Sequence, residues 1–496
     1  MKSENVYITT TLPYVNANPH VGHVMEFIKA DFLARYYRIN YQIENGHKID
    51  SYFSENVFFN TGTDEHGLKI YQKALENNQD PQEFVDEKSK TFSSLKESLN
   101  ISYDRFIRTT DPDHVKAAQD FWKKCDEAGY IYKKNYEGLY CVGCELFVKE
   151  KDLVNGECPF HPGRKPELIS EENYFFKYSA LAEKLLDLYK NNPNFVIPES
   201  RHKEITSLVA QGLEDFSISR LKTKMPWGID VPNDSDQVMY VWFDALVNYI
   251  STLGWPHDTE KFEKFWNGAK VIQICGKDNL QFQAARWQAM LLSVGIKNTD
   301  HLLVNGFILS DGQKMSKTIG NVVDPMEYVE KYGAEALRYF TIRELHPYED
   351  SDFTEEKFIE GYNANLANGL GNVVSRVLKM AENNEIKIDQ ELLISKTKEI
   401  WQGEKDFHQS VADFSLQKAA DSLWAIIARI DQKITETEPF KLIKTDKDAA
   451  TKIVEELVWE IWKLGILLEP LLPVTALKIR NAVIAGEKPE SLFARI

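Results

Sequence analysis

Four soft ligand atoms recur at regular spacing in CVGCELFVKEKDLVNGECPFH, residues 141–161. Two residues separate Cys141 from Cys144, and after thirteen intervening residues Cys158 and His161 repeat that spacing. Three thiolates and an imidazole in this order are the donor set of a tetrahedral zinc site. Four protein ligands leave no open position, so such an ion holds structure and does not activate water. The NGE triplet between the pairs supplies the turn that a knuckle needs. Cys125 and Cys275 stand apart from this cluster and are expected as buried thiols.

A second chemistry is written into LSDGQKMSKTIGN, residues 309–321. Lys314 and Lys317 are three apart, with hydroxyls at Ser316 and Thr318, in a glycine-containing loop. Two ammonium groups on a flexible loop can follow a triphosphate and stabilise charge as it moves between phosphorus centres. Two other phosphate devices are excluded. Gly62 and Gly67 have Walker-like separation, but Leu68-Lys69 follows where a lysine and a hydroxyl should stand. No strand candidate is followed by the three-glycine dinucleotide pattern. A third stretch, NANPHVGHVMEF (residues 16–27), sets His20 and His23 on either side of Val21-Gly22, straight after a proline and before a helical pattern.

The elements around these residues predict where they sit. NVYITTT is β-branched and aromatic, GHVMEFIKADFLARYYRI carries apolar residues at helical spacing, and NVFFNTGT is a second strand ending in Asp64-Glu65-His66-Gly67. Strand, helix and strand at this spacing make a βαβ unit and a parallel sheet, whose ligands gather at the carboxyl ends of the strands. The polar stretch 41–56 reads as a surface insertion. Strand signals resume at DQVMYVWFDA, AKVIQICGKD and DHLLVNGFIL, so the sheet is expected to be split by an inserted domain. Beyond about residue 355 only helical periodicity remains. The expected organisation is an α/β chain. A Rossmann-like half (1–115) is followed by a connective domain with the zinc knuckle (116–225), the second half of the sheet with the lysine loop (226–325), a linking segment (326–355) and a helical bundle (356–496).

Composition narrows the class. A chain of 496 residues with 43% hydrophobic and 27% charged residues is ordinary for a globular protein of about three domains. Five cysteines make no disulfide framework. The first residues lack the apolar run of a signal peptide, and no stretch approaches the ~18 apolar residues of a membrane span, so a cytoplasmic location is expected. A net charge of -16 argues against a generic nucleic-acid binder and requires any RNA contact to be a local basic face.

HVGH after the first strand and KMSK after the last together resemble the paired signatures of class I aminoacyl-tRNA synthetases. TLPYVNANPHVGH, TGTDEHG, YVWFDALVNYI, GKD and DGQKMSK stand in the order of the methionyl-tRNA synthetase family, and the likeness covers essentially the whole chain. The resemblance implies that His20, His23, Lys314 and Lys317 stabilise phosphate charge while an amino-acid carboxylate displaces pyrophosphate. Gly22, Lys277, Asp278, Met315 and Ser316 would complete the ATP site, with magnesium accompanying ATP. An imidazole N–H near a helix N-terminus suits developing negative charge, and Gly22 lets the nucleotide approach the backbone.

By the same resemblance, Leu12, Tyr14, Trp242, Ala245, Tyr249 and Gln283 form a methionine pocket, with Asp64 on the substrate ammonium. A thioether suits an aromatic and aliphatic enclosure, and a buried ammonium suits a carboxylate. In GLGNVVSRVLKM, Asn372 and Arg376 are four apart and share a helix face, as a pair reading single-stranded bases would. With Phe440 they match the family's anticodon readers for initiator and elongator tRNA(Met). Three positions depart from the pattern: Gln283 stands where the family commonly has histidine, Leu246 where it has proline, and Phe440 where it has tryptophan. The implied partners are tRNA(Met), ATP and L-methionine. One structural zinc per chain and a monomer are expected. The alternatives are a class I synthetase for another amino acid, or a non-catalytic tRNA-binding paralogue of the same fold.

Overall fold

The computed structural model describes residues 4–142, 146–148, 150, 153–159, 165–315 and 321–496. Its centre is β1 (Asn5–Thr10), flanked by β2 (Val57–Thr63) and the strand Ala269–Gly276, both parallel to it. β3 (Arg105–Arg108) extends the sheet beyond β2, and His301–Asn305 and Val196–Ile197 extend it on the other side, giving six parallel strands. Side chains alternate across it. Val6, Ile8, Ile272 and Ile274 join one hydrophobic core, while Tyr7, Val271 and Cys275 join another on the opposite face. A parallel sheet covered on both faces gives the near-continuous apolar strands read from the sequence.

From β1 the chain moves outward in one direction through β2 and β3. From Ala269–Gly276 it moves outward in the other. The strand order therefore reverses between these two neighbours, where Thr10 pairs with Ile274. Crevices outside the carboxyl ends of the strands at such a reversal are where doubly wound sheets bind ligands. The His20 and Gly276-Lys277-Asp278 segments both leave the sheet there.

Within residues 116–225, a four-stranded antiparallel sheet is built on the long pairing of Ile131–Cys141 with Glu167–Phe176. This insertion is not sealed off from the rest, because Val196–Ile197 is the edge strand of the main sheet. After residue 355 the described residues are helical except for short connections, with Asn372–Asn383, Leu416–Thr437, Lys447–Leu467 and Pro473–Ala485 the principal helices. Residues 362–371, rich in asparagine and glycine, run as wide π-helical turns between two α-helices. No described helix is long and apolar enough to cross a membrane.

The stretch 41–56 is not a surface insertion throughout. Residues 41–44 are the last turn of α1 (Val21–Glu44), and Ser51, Ser54 and Asn56 are buried. Its polarity serves buried arginines. Arg35 Nη1 donates to Ser51 Oγ at 2.6 Å, and Ser51 Oγ donates to Glu469 Oε1 at 2.7 Å. Beside it, Asp31 pairs with Arg35 and with Arg338, each at 2.7 Å. Burial alone would raise the Asp31 carboxyl, but the two guanidiniums hold it down at about 2. Arg338 also donates to the carbonyls of Leu471 and Pro470, between two C-terminal helices. One hydrophobic core runs from Val6 through α1 to Trp462 and Val483. The helical region is thus packed onto the parallel sheet through a continuous core.

Candidate active site

α1 begins at His20, whose extended backbone (φ -123°, ψ 170°) makes it the N-cap. The Gly22 N–H donates to His20 Nδ1 at 3.1 Å, and the His20 N–H donates to His23 Nδ1 at 3.2 Å. This is a capping box made of two imidazoles, satisfying helix-start N–H groups that would otherwise lack partners. The rings stack with centroids 3.8 Å apart. Because each Nδ1 accepts, a neutral ring here carries its proton on Nε2 and presents that atom as a donor. A Cβ at Gly22 would sit 2.9 Å from His20 Cε1, so any larger residue would push the His20 ring from its place in the cap.

The lysine loop meets this helix start. The Val21 N–H donates to Val323 O at 3.2 Å, and Val323 N–H in turn approaches Met315 Sδ at 3.5 Å. Lys314 Nζ lies 4.3 Å above the Phe307 ring. Ser316 and Lys317 lie outside the described residues. On the neighbouring strand end, Asp278 faces the same cavity, and a Cβ on Gly276 would stand 2.7 Å from its Oδ1. Lys277 turns the other way, with Nζ 2.7 and 2.8 Å from the two carboxylate oxygens of Asp350.

The amino-acid side adjoins the histidines. Leu12, Tyr14, Asp64, Trp242, Ala245, Tyr249 and Gln283 line one cavity of about 370 Å³ together with His20, Gly22, His23, Asp278, Lys314 and Met315. Every described residue expected in the ATP and methionine sites lines this cavity except Lys277. Asp64 is seated by its backbone: its N–H donates to Pro13 O at 2.9 Å, and Val15 N–H donates to its carbonyl at 3.2 Å. Trp242 and Phe282 stack at 3.7 Å with planes 12° apart. Gln283 is buried and its side chain reaches the Tyr249 hydroxyl. Among the described residues, Gln283 Oε1 and Trp242 Nε1 have no hydrogen-bond partner.

Sequence reasoning missed Glu26, which lines the cavity one helical turn after His23. Its Oε1 accepts from the Thr11 N–H at 2.7 Å and the Thr11 hydroxyl at 2.5 Å. Burial pushes its carboxyl up to about 8, against those hydrogen bonds. Lys29, one turn further on, is lowered to about 7 by burial, with Glu26 opposing. Its ammonium donates to Asn305 Oδ1 and Pro347 O, both at 2.8 Å. The signal available in the sequence was spacing alone: Glu26 and Lys29 continue the His23 face of α1 at i+3 and i+6.

Of the four residues expected to hold a metal, Cys141 and Cys158 are described and buried, while Cys144 and His161 lie outside the described residues. Cys141 ends its strand opposite Leu146, and Cys158 follows a tight turn in which Val154 and Glu157 bridge across Asn155-Gly156, both at positive φ. A buried thiol at a strand end and another just past a tight turn fit part of the donor set of a zinc knuckle. Asn372 and Arg376 share a face of the Asn372–Asn383 helix, Arg376 pairing with Asp431 on the Leu416–Thr437 helix. Phe440 is exposed.

Comparisons with known proteins place the chain in a family. The family model described as tRNA synthetases class I (M) matches residues 6–164 and 160–378. A methionine–tRNA ligase of Brucella melitensis is 37% identical over 505 residues, covering 100% of this chain and 95% of that protein. One from Thermotoga maritima is 36% identical, covering 97% and 76%. Among solved structures, the Mycobacterium tuberculosis methionyl-tRNA synthetase in complex with methionyl-adenylate overlays with a TM-score of 0.86 at 33% identity. That overlay covers 99% of this chain and 98% of that one. The free form of the same enzyme overlays with a TM-score of 0.79. The chain belongs to the methionine–tRNA ligases, the methionine branch of the class I tRNA synthetases.

Proposed function

We propose that the chain joins methionine to tRNA(Met), initiator and elongator alike, by the two-step reaction of its family, with the residues named above in these roles. The methionine carboxylate attacks the α-phosphorus of ATP, the bond to the β-phosphate oxygen breaks, and pyrophosphate leaves. A hydroxyl of the tRNA terminal adenosine then attacks the adenylate carbonyl, and AMP leaves. His20 and His23 donate from Nε2 to the phosphates, and Lys314 and Lys317 neutralise charge as it passes to pyrophosphate. Met315, Ser316, Gly22 and Asp278 complete the nucleotide site. Lys277 supports it from outside through Asp350 and the Phe307 N–H, which donates to Asp350 at 3.0 Å. Magnesium enters with the nucleotide and offsets triphosphate charge.

Asp64 takes the substrate ammonium, and Leu12, Tyr14, Trp242, Ala245, Tyr249 and Gln283 enclose the side chain. Burial keeps the Tyr249 phenol far above its ordinary pKa, so it remains a neutral wall. Cys141, Cys144, Cys158 and His161 hold one zinc ion that stabilises the knuckle. Asn372, Arg376 and Phe440 face the anticodon, and Arg376 exchanges Asp431 for a base edge on binding. The domain division keeps the boundaries read from the sequence, with Val196–Ile197 of the 116–225 insertion lent to the main sheet as its edge strand, and the enzyme acts as a monomer in the cytoplasm.

One observation carries this reading. A single cavity at the sheet's reversal point joins an imidazole capping box and a lysine loop to an aromatic enclosure containing a seated carboxylate. ATP–pyrophosphate exchange, run with each of the twenty amino acids, tests it. Methionine alone should support exchange. Exchange with a different amino acid, or none even with tRNA added, overturns the assignment.

A further inference from the structure

Two motif residues take no part in the roles above: His66 in TGTDEHG and Asp244 in YVWFDALVNYI. Both are buried, 5% and 0% exposed, and neither lines the cavity. They meet across 178 residues of sequence, with His66 Nδ1 3.2 Å from Asp244 Oδ2. Each is attached to a different wall of the amino-acid pocket. His66 follows Asp64 by two residues in the turn after β2. Asp244 lies between Trp242 and Ala245 in the helix Val241–Leu246.

The two attachments differ in rigidity. The His66 turn is clamped on every side. Glu65 takes Arg108 through two bonds of 2.8 Å, Trp227 Nε1 donates to Glu65 O at 2.6 Å, and Gly67 N–H donates to Trp227 O at 3.2 Å. The Trp227 ring lies 5.6 Å from the His66 ring. The helical run that carries Asp244, Val241–Leu246 continued through Val247 into Asn248–Ser251, is short and has no side-chain cap bond at its start. A helix that short has little stability of its own, so tertiary contacts must orient it. Among the described residues, Asp244 Oδ1 has no hydrogen-bond partner, which leaves the His66 contact as the polar tether of its carboxylate.

We propose that His66 and Asp244 are positioning residues that set the width of the amino-acid pocket. Their contact holds the aromatic wall of Trp242 at a defined distance from the ammonium-binding carboxylate of Asp64, and so selects side-chain length. The inference rests on the pocket reading given above. Without the tether the helix relaxes outward, methionine binds more weakly, and a side chain one methylene longer is better tolerated. A methylene in a fitted pocket is worth roughly 10–200-fold in selectivity, so the change is measurable.

The test is ATP–pyrophosphate exchange with methionine and with its S-ethyl homologue, on wild type, His66→Ala, His66→Asn, Asp244→Asn and Trp242→Ala. His66→Ala should raise KM for methionine about tenfold and lower the methionine preference in kcat/KM by a similar factor, leaving KM for ATP unchanged. His66→Asn should retain most of both values, because its Nδ2 reaches the position of Nδ1. Asp244→Asn should fall between the two. If Trp242→Ala raises KM for methionine while His66→Ala moves neither KM nor the preference, the inference fails and the pocket reading stands. A parallel loss of ATP affinity in His66→Ala, unrelieved by asparagine, would mark a general structural role and also overturn it. If Trp242→Ala leaves KM for methionine unchanged, the pocket reading itself falls, and the inference with it.

Discussion

At the scale of single residues, the site is a set of donors whose direction is decided by the backbone. The helix start occupies Nδ1 of both His20 and His23, so their useful protons lie on Nε2. The family's phosphate chemistry needs a partner charge from the lysine loop. Lys317→Ala should therefore slow pyrophosphate exchange by about 10²–10³-fold, the cost of losing one group aimed at developing charge. Its affinity for tRNA, measured by filter binding, should not change; an unaltered exchange rate would remove Lys317 from the mechanism. Glu26 gives a pH signature. Its carboxyl is raised on folding from 4.5 to about 8, mainly by burial. The folded chain keeps this proton over a range where the unfolded chain has lost it, so the contribution to stability is full below about pH 4.5 and is lost as pH rises towards 8. In urea unfolding, wild type should lose stability relative to Glu26→Gln between pH 5 and 7. A difference that stays level across that window would refute the buried, proton-holding state.

At the scale of elements, what the sequence disclosed was periodicity and punctuation. The βαβ unit, the split sheet and the helical C-terminal region followed from them, and so did the placing of polar clusters at strand ends, while the roles of the site residues came from the family resemblance. Burial that depends on tertiary partners was less legible. Residues 41–56 read as surface because they are polar, yet Ser51 is buried between Arg35 and Glu469, two groups far apart in sequence. The two-residue strand Val196–Ile197 is too short for a period-2 signal and is defined only by its pairing with Leu302 and Leu303. Glu26 and Lys29 have no motif of their own. Their roles arise from Thr11 and Asn305, which only the sheet brings near. The proposed knuckle is the reverse case, a reading that rests on the spacing of Cys141, Cys144, Cys158 and His161. Cys158→Ser should take bound zinc, measured by atomic absorption, from one ion per chain to none. It should also speed amide exchange at the Cys141 end of the Ile131–Cys141 strand while β1 exchange is unchanged. Retention of the metal would exclude Cys158 as a ligand.

At the scale of the whole molecule, the network through Asp31, Arg35 and Arg338 joins α1, which carries the histidines, to the turn at Pro470 and Leu471. Arg338→Met would leave the buried Asp31 carboxylate with Arg35 and Ser102 as its remaining partners, costing about 3–5 kcal/mol in urea unfolding. Arg338→Lys should recover only part, since one ammonium cannot reproduce a fork that meets Asp31 and the carbonyls of Leu99, Asn100, Pro470 and Leu471. A cost below about 1 kcal/mol would mean that the carboxylate is satisfied in another way. The continuous core has a consequence for how such a chain can be taken apart. One face of α1, around Tyr36, packs on the C-terminal helices through Trp401 and Phe407. A fragment ending near residue 355 would expose that apolar face and several buried arginine partners to water. The phosphate-handling half is therefore not a portable cassette. Chimeras that exchange the tRNA-reading helices between relatives must carry the matching outer face of α1 with them, or they will aggregate before they can be assayed.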